Sequence, residues 1–367
     1  MEVKHYNIKE INEPFVEEAL ERVREVLTSG NYILGKNVKE LEERMAQTLG
    51  SKYAVTAASG SDSLVLSMLA LGIKPGDEVI TTPFTFIATA GCISLLGAKP
   101  VFADVHKDTY TLNPEEVKKE ITDKTKAILP VHLYGQPADM DELKTIADEN
   151  DLKIVEDCVH AHTAEYKGRK VGSIGDIGCF SFFPTKNLGG IGEGGLLTTN
   201  NDELYERIKA VRIHGAKVKY YNELLGKNSR YDEIKAAVVL AKLNHLKDWT
   251  EKRRENAKLY NSLLKDVVKT PVVKDHNKHV YHQYTVIADK RDELYEHLKK
   301  NNVESFVYYP IPLHLLGTFK DLKHKEGDMP NAEYLAKNVL SLPIVPETTK
   351  EQINYVADTI KDFYSKQ

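Results

Sequence analysis

Five short runs rich in valine, isoleucine and leucine recur through the first half of the chain, and a stretch with helical spacing separates each from the next. The runs are Tyr53–Ala57, Glu78–Thr82, Pro100–Asp104, Ala127–His132 and Leu152–Glu156, with helical patterns at about 61–72, 86–96, 114–121 and 139–149. Apolar and polar residues hardly alternate within the runs, so both faces of each strand must be covered. Such strands, alternating with helices, predict an α/β fold with a mostly parallel central sheet between two helical layers. Residues 171–200 break the pattern, with eight glycines among thirty residues. After about 245 a long charged helix, Leu246 to Leu264, leads into two or three further strands and helices ending at Tyr364. At 367 residues the chain exceeds one small core and divides into a large domain over 1–245 and a smaller C-terminal α+β domain over 246–367. The large domain begins with a helix over 11–28. It carries Ile11, Phe15, Val16, Ala19, Leu20, Val23, Val26 and Leu27 on one face, with Pro14 in its first turn and Gly30 past its end.

Charge excludes several function classes. The net charge is −4 with both signs interspersed, which gives no footprint for nucleic acid or a membrane surface. The start, Met1-Glu2-Val3-Lys4-His5, has no apolar leader, and no run approaches the roughly 18 apolar residues of a membrane span. Cys92, Cys158 and Cys179 have no metal-ligand spacing and form no even disulfide set. The expectation is a cytoplasmic protein with small buried thiols and no metal.

The chemistry-bearing residues cluster at predicted strand ends. Lys186 lies between Phe180-Ser181-Phe182-Phe183-Pro184-Thr185 and Asn187-Leu188-Gly189-Gly190, a setting with little use for a solvated charge. A lysine whose pKa falls on burial is the residue used for Schiff bases. Asp157, 29 residues earlier, ends a strand where open α/β sheets place ligand-binding groups. It can hold a pyridinium nitrogen if the carbonyl is that of pyridoxal phosphate; on position alone it reads equally as a helix cap or loop carboxylate. Ser59-Gly60-Ser61-Asp62-Ser63 follows a strand and opens a helix, where free N–H groups and hydroxyls make a phosphate site; taken alone it is also an ordinary N-cap. His160 can donate to a ring hydroxyl or be a structural histidine, and Phe86 can stack on a flat cofactor or pack in the core. Ser181 is within reach of the same phosphate. The stretch 212–231 collects Arg212, Lys217, Lys219, Lys227 and Arg230 with Tyr220, Tyr221 and Tyr231, which is either a solvated loop or a wall for a diphosphate and a flat ring.

Taken together, the order of these signals resembles the fold type I pyridoxal-phosphate enzymes, and within them the sugar aminotransferases of the DegT/DnrJ/EryC1/StrS family. The likeness runs through Gly30-Asn31-Tyr32-Ile33-Leu34-Gly35, Pro130-Val131-His132-Leu133-Tyr134-Gly135, Glu156-Asp157, Ser181 to Leu188, Asn228-Ser229-Arg230, Tyr309-Pro310-Ile311-Pro312-Leu313-His314 and Ser341-Leu342-Pro343. The resemblance implies pyridoxal 5′-phosphate bound through Lys186, with Asp157 at the ring nitrogen. Ser59, Gly60, Ser61, Phe86, His160 and Ser181 complete the cofactor contacts, and Asn228 reaches the cofactor of the other subunit in a homodimer with shared sites. It implies amino transfer from L-glutamate to a nucleotide-linked keto sugar, with Lys219, Tyr221, Arg230, Tyr309 and His314 toward the substrate. Two departures stand out: His160 where many members carry glutamine, and Lys235 where glutamine is common.

Rival readings predict different residues. A dehydratase of the family has histidine in place of the lysine, a silent regulator loses the lysine or the aspartate, and a plain nucleotide-binding module wants a glycine-rich fingerprint after the first strand. The segments Asn31-Tyr32-Ile33-Leu34-Gly35 and Lys219-Tyr220-Tyr221 look more like members that aminate C3 of dTDP- or UDP-linked sugars, with C4 as the alternative.

Overall fold

The computed structural model of the chain describes residues 1–218 and 220–366. Seven strands form the central sheet: β1 (Tyr53–Ala57), β2 (Glu78–Thr81), β3 (Lys99–Phe102), β4 (Thr125–Leu129), β5 (Lys153–Asp157), β6 (Ile177–Ser181) and β7 (Gly195–Thr199). Their order is β1-β7-β6-β5-β4-β2-β3; β7 runs antiparallel to both neighbours and all other pairs are parallel. The fourth run stops at Leu129, short of the expected His132, because Pro130 has no N–H to give to the ladder. Val131 still bridges to Asp157.

Alternate residues of the strands feed two separate cores, as the two-residue period of a pleated strand requires. On one face Ile80, Ile128 and Ile154 pack with residues of α2 (Lys36–Leu49), α5 (Met140–Glu149) and α7 (Glu233–Leu243), among them Leu41, Met45, Leu143, Ile146 and Val239. On the other, Val79, Ala127 and Val155 meet Leu64, Met68, Ile93 and Ile208 of α3 (Gly60–Leu71), α4 (Ala88–Leu95) and α6 (Asp202–Arg212). Burying each large aliphatic side chain contributes roughly 1.5–3 kcal/mol. A charged group in either layer is therefore costly unless something compensates it.

A third core lies toward the C-terminus. There β8 (Tyr284–Ile287) pairs antiparallel with β9 (Val339–Leu342) beneath α8 (Leu246–Leu264), α9 (Arg291–Lys300) and α10 (Lys350–Ser365). Val3 belongs to this core and bridges to Val303, so the first residues pack with the C-terminal part rather than with the large domain assigned to 1–245. The N-terminal helix also differs from expectation. Ile8–Asn12 and a turn at Glu13–Phe15, with Pro14 inside it, precede α1 (Val16–Ser29). Only Phe15, Ala19 and Val26 of the expected face are buried, while Val16, Leu20 and Leu27 are exposed. The surface offered to α1 by Val238, Ala241 and Trp249 is narrower than its apolar stripe.

Candidate active site

β1, β2, β5 and β6 point the same way, so the residues after them meet along one edge of the sheet. There Ser59 caps α3, its Oγ accepting from the Asp62 N–H at 3.0 Å. The N–H groups of Gly60 and Ser61 precede the first helical hydrogen bond and face outward at the positive end of the helix. Gly60 is required here: a Cβ would stand 2.6 Å from the Ser181 Cβ. Ser181, ending β6, is thereby pressed against the start of α3, and its Oγ accepts from the Phe183 N–H at 3.2 Å. The open helix start and two hydroxyls suit a phosphate.

Asp157 ends β5 on the α4 side and is buried. The Thr89 hydroxyl donates to one carboxylate oxygen at 2.9 Å, and the Val159 N–H to the other at 3.2 Å. Burial pushes its pKa up in spite of these bonds and of the Lys186 charge. A buried carboxylate in this condition lacks a cationic partner, and a protonated ring nitrogen would supply one. On the same grounds Lys186, half-buried in the turn after β6 with its N–H bonded to the Phe183 carbonyl at 2.9 Å, fits a Schiff-base role. Burial pushes its ammonium down to about 8, against the pull of Asp157, which brings the neutral amine within reach near physiological pH.

His160 is buried, and its Nδ1 accepts the Tyr134 N–H at 3.3 Å. A neutral ring accepting at Nδ1 carries its hydrogen on Nε2, and burial, with the charge of Lys186, holds it neutral. His160 thus presents an N–H donor, the form that a ring hydroxylate would require. Phe86 does not join the core: 53 % of it is exposed, whereas Phe84 is fully buried. The Phe86 ring lies 6.2 Å from the ring of Tyr309, on which Asp157 also acts electrostatically. These two rings belong to the same edge.

The remaining expected contacts are differently situated. His314 is buried against Glu333, with Nε2 3.1 Å from Oε1 and Nδ1 without a hydrogen-bond partner. Tyr221 stands exposed on a two-stranded hairpin, Ala216–Val218 with Tyr221–Asn222, and Lys219 lies outside the described residues. Asn228 and Arg230 are both exposed, and Arg230 Nε donates to Asn228 Oδ1 at 2.9 Å. Ser229 between them points inward, donating to Asp62 at 2.7 Å and accepting from the Ala58 N–H at 3.0 Å, so this loop is tied to the start of α3. Lys235, the second departure, pairs with Asp232 at 3.1 Å on the first turn of α7.

Several residues that shape the site had no local sequence signal. Thr89 holds Asp157 from 68 positions away, and Asn187 is engaged by His282 from 95 positions away. The Thr89 hydroxyl also lies 3.2 Å from that of Thr85.

The relatives of the chain carry different roles in their names, one regulatory and one catalytic. A pleiotropic regulatory protein from Geobacillus stearothermophilus is 47 % identical, covering 99 % of both chains. The dTDP-3-amino-3,4,6-trideoxy-alpha-D-glucose transaminase of Streptomyces venezuelae is 42 % identical over 93 % of this chain and 90 % of its own. The crystal structure of S. venezuelae DesV in complex with a ketimine intermediate superposes with a TM-score of 0.96 at 40 % identity, covering 99 % of this chain and 98 % of that one. The profile of the DegT/DnrJ/EryC1/StrS aminotransferase family matches residues 14–361, a span that holds Asp157, Lys186 and every other group of this site, and the chain therefore belongs to that family.

Proposed function

We propose that this aminotransferase moves an amino group from L-glutamate to the keto carbon of a dTDP- or UDP-linked sugar, at C3 rather than C4, with pyridoxal 5′-phosphate held at the edge described above. The observation that carries the reading is geometric: Asp157 is buried at the end of β5 with only two hydrogen-bond donors, and Lys186 stands in the turn after the neighbouring strand β6. When bound, pyridoxal phosphate supplies a carbonyl that condenses with amines and a ring that draws electrons from the adjacent carbon. Asp157 keeps a proton on the ring nitrogen by its charge. Lys186 Nζ anchors the group covalently. Its neutral amine would be the group placed to take a proton from the donor carbon and return one to the sugar carbon. His160 Nε2–H would meet the ring hydroxyl, while the N–H groups of Gly60 and Ser61 and the hydroxyls of Ser59 and Ser181 would hold the phosphate. The match to the S. venezuelae transaminase, whose product name places the amine at C3, supports the regiochemistry.

The site is completed by a second copy of the chain. Asn228 and Arg230 are exposed beside the phosphate helix, which supports a homodimer in which Asn228 serves the partner's cofactor. Arg230 and Tyr221 then face the diphosphate and nucleoside of the sugar, with Tyr309 and His314 toward the sugar ring. Among the described residues no helix is long and apolar enough to cross a membrane, in keeping with a cytoplasmic enzyme. A purely regulatory role is suggested by the name of the Geobacillus relative; retention of both Lys186 and Asp157 speaks against it.

Reducing the purified protein with borohydride and mapping its peptides should place the label on Lys186. Donor and acceptor half-reactions, run with a panel of 3-keto and 4-keto sugars on dTDP and UDP and followed by mass spectrometry, should give the aminated 3-keto sugar. A label elsewhere, or no amination of any sugar in the panel, overturns the reading.

A further inference from the structure

His282 lies far from the site in sequence, in the loop leading into β8, yet it touches both groups that flank the cofactor position. Asn187, next to Lys186, donates through Nδ2 to the Val280 carbonyl at 3.1 Å. That bond fixes the amide, so its Oδ1 is the acceptor for His282 Nδ1 at 3.2 Å. His282 therefore carries its hydrogen on Nδ1, the opposite tautomer to His160. The two rings lie against each other with centroids 4.4 Å apart and 35° between their planes. The loop that carries His282 is itself clamped: the Val280 N–H donates to the Gly135 carbonyl at 3.1 Å, and the Gln283 N–H to the Tyr134 carbonyl at 3.2 Å. From the other side Arg253 of α8 donates to the Tyr281 carbonyl at 3.3 Å. Gly135 leaves no slack, since a Cβ there would meet Val280 Cγ2 at 2.8 Å and the His282 nitrogen at 3.1 Å.

We propose that His282 is a positioning residue, which holds the Lys186 turn and the His160 ring in register through one hydrogen bond to Asn187 and one ring contact. This rests on the reading that Lys186 carries the cofactor. The residue comes from the segment entering the C-terminal core, so it also ties that core's placement to the reacting amine. A side chain that only filled space would be replaceable by any group of its volume. One that sets register depends on an N–H at the Nδ1 position.

His282→Ala and His282→Asn separate the two, because the asparagine amide places an N–H where Nδ1 stood. In the cofactor-loaded protein, His282→Ala should lower kcat by about 100-fold, the scale expected for a displacement of about 1 Å. The KM for either substrate should change by less than about threefold. The visible absorption maximum should shift and the borohydride labelling of Lys186 should slow. His282→Asn should recover most of both signals. Should His282→Ala fail to fold, Asn187→Ala removes the same bond from the other end, together with the bond to Val280, and should also shift the absorption maximum and slow the labelling of Lys186. In a His282→Ala/Asn187→Ala double variant the loss should be smaller than the product of the two single losses, because the two residues share one bond. A wild-type spectrum and labelling rate in His282→Ala, or no recovery in His282→Asn, overturns the inference. Absence of label on Lys186 in the unmodified protein overturns instead the reading on which it rests.

Discussion

Glu156 and Asp157 are consecutive residues at the end of β5, equally buried, on opposite faces of the sheet. The Glu156 carboxylate accepts from the N–H groups of Gly172, Ile174 and Gly175 at 2.8, 2.9 and 2.7 Å, and His132 Nε2 lies 3.0 Å away. His132 donates there through Nε2, because its Nδ1 accepts the Ala138 N–H at 3.0 Å. Burial pushes Glu156 up, but the His132 bond and these N–H groups outweigh it and leave its pKa lowered. Asp157 has two donors, and burial wins. Two carboxylates one residue apart thus differ in kind. One is satisfied within the chain and holds the glycine-rich segment to β5. The other is left with two neutral donors and no ion pair among the described residues. The same saturation explains why His132, Glu156 and Cys158, although clustered closely enough to hold a metal ion, have no spare donor capacity at Glu156 or His132.

The largest expected effect tests the satisfied member. Glu156→Gln removes the charge facing three N–H groups and His132, and should cost on the order of 3–5 kcal/mol of stability, read by denaturant unfolding. Near-normal turnover should survive in whatever folds. An unchanged midpoint would break the contrast. The converse holds for Asp157→Asn, which should retain the fold and the cofactor yet lose about 100-fold or more in turnover, since a neutral amide no longer stabilises charge on the ring. Wild-type turnover in that variant refutes the assignment.

A smaller effect is expected outside the buried pair. Arg230→Ala should slow the keto-sugar half-reaction by about tenfold, within the range of a charge-assisted hydrogen bond, and the glutamate half-reaction less. Equal losses in both halves would show a cofactor or structural role. Lys186→Ala mixed with Asn228→Ala should regain part of the activity once subunits exchange, because one site of the heterodimer then carries neither defect. No recovery after demonstrated exchange would put both residues in one chain's site.

The smallest effect is in the pH dependence of stability of the cofactor-free protein, where the two carboxylates have opposite signs. Glu156, lowered from its ordinary 4.5, binds fewer protons folded than unfolded, so its contribution is full above 4.5 and is lost as pH falls through the lowered value. Asp157, raised from 3.8, binds more protons folded, so stability declines as pH climbs from 3.8 through the raised value. Asp157→Asn should remove that declining limb, and cofactor binding should flatten it. Thermal unfolding from pH 3 to 8 checks both.

Much of this was legible before any coordinates. The spacing of apolar runs located the strands of the parallel sheet, and α8 spans Leu246–Leu264 as its charged pattern predicts. Local composition singled out Lys186, and the order of motifs supplied Asp157. Other outcomes depended on contacts that no window contains. Phe86 had two readings, and its exposure beside Tyr309 follows from Phe84 filling the core in its place. The pairing of His314 with Glu333 is made by packing across 19 positions, and no local signal gives it. The apolar stripe of α1 did not foretell that Leu20 and Leu27 would lie open.

By itself the sequence determined the elements and the chemical inventory, because helical and strand periods and the chemistry of a lysine or carboxylate are local properties. The tertiary structure decided the state of each group. Nothing near residue 156 or 157 says which carboxylate will be satisfied. That depends on N–H groups 16 to 19 residues downstream, a histidine 24 residues back and a threonine 68 residues back. Desolvation and hydrogen bonding act through space, and only the fold brings those partners to the end of one strand.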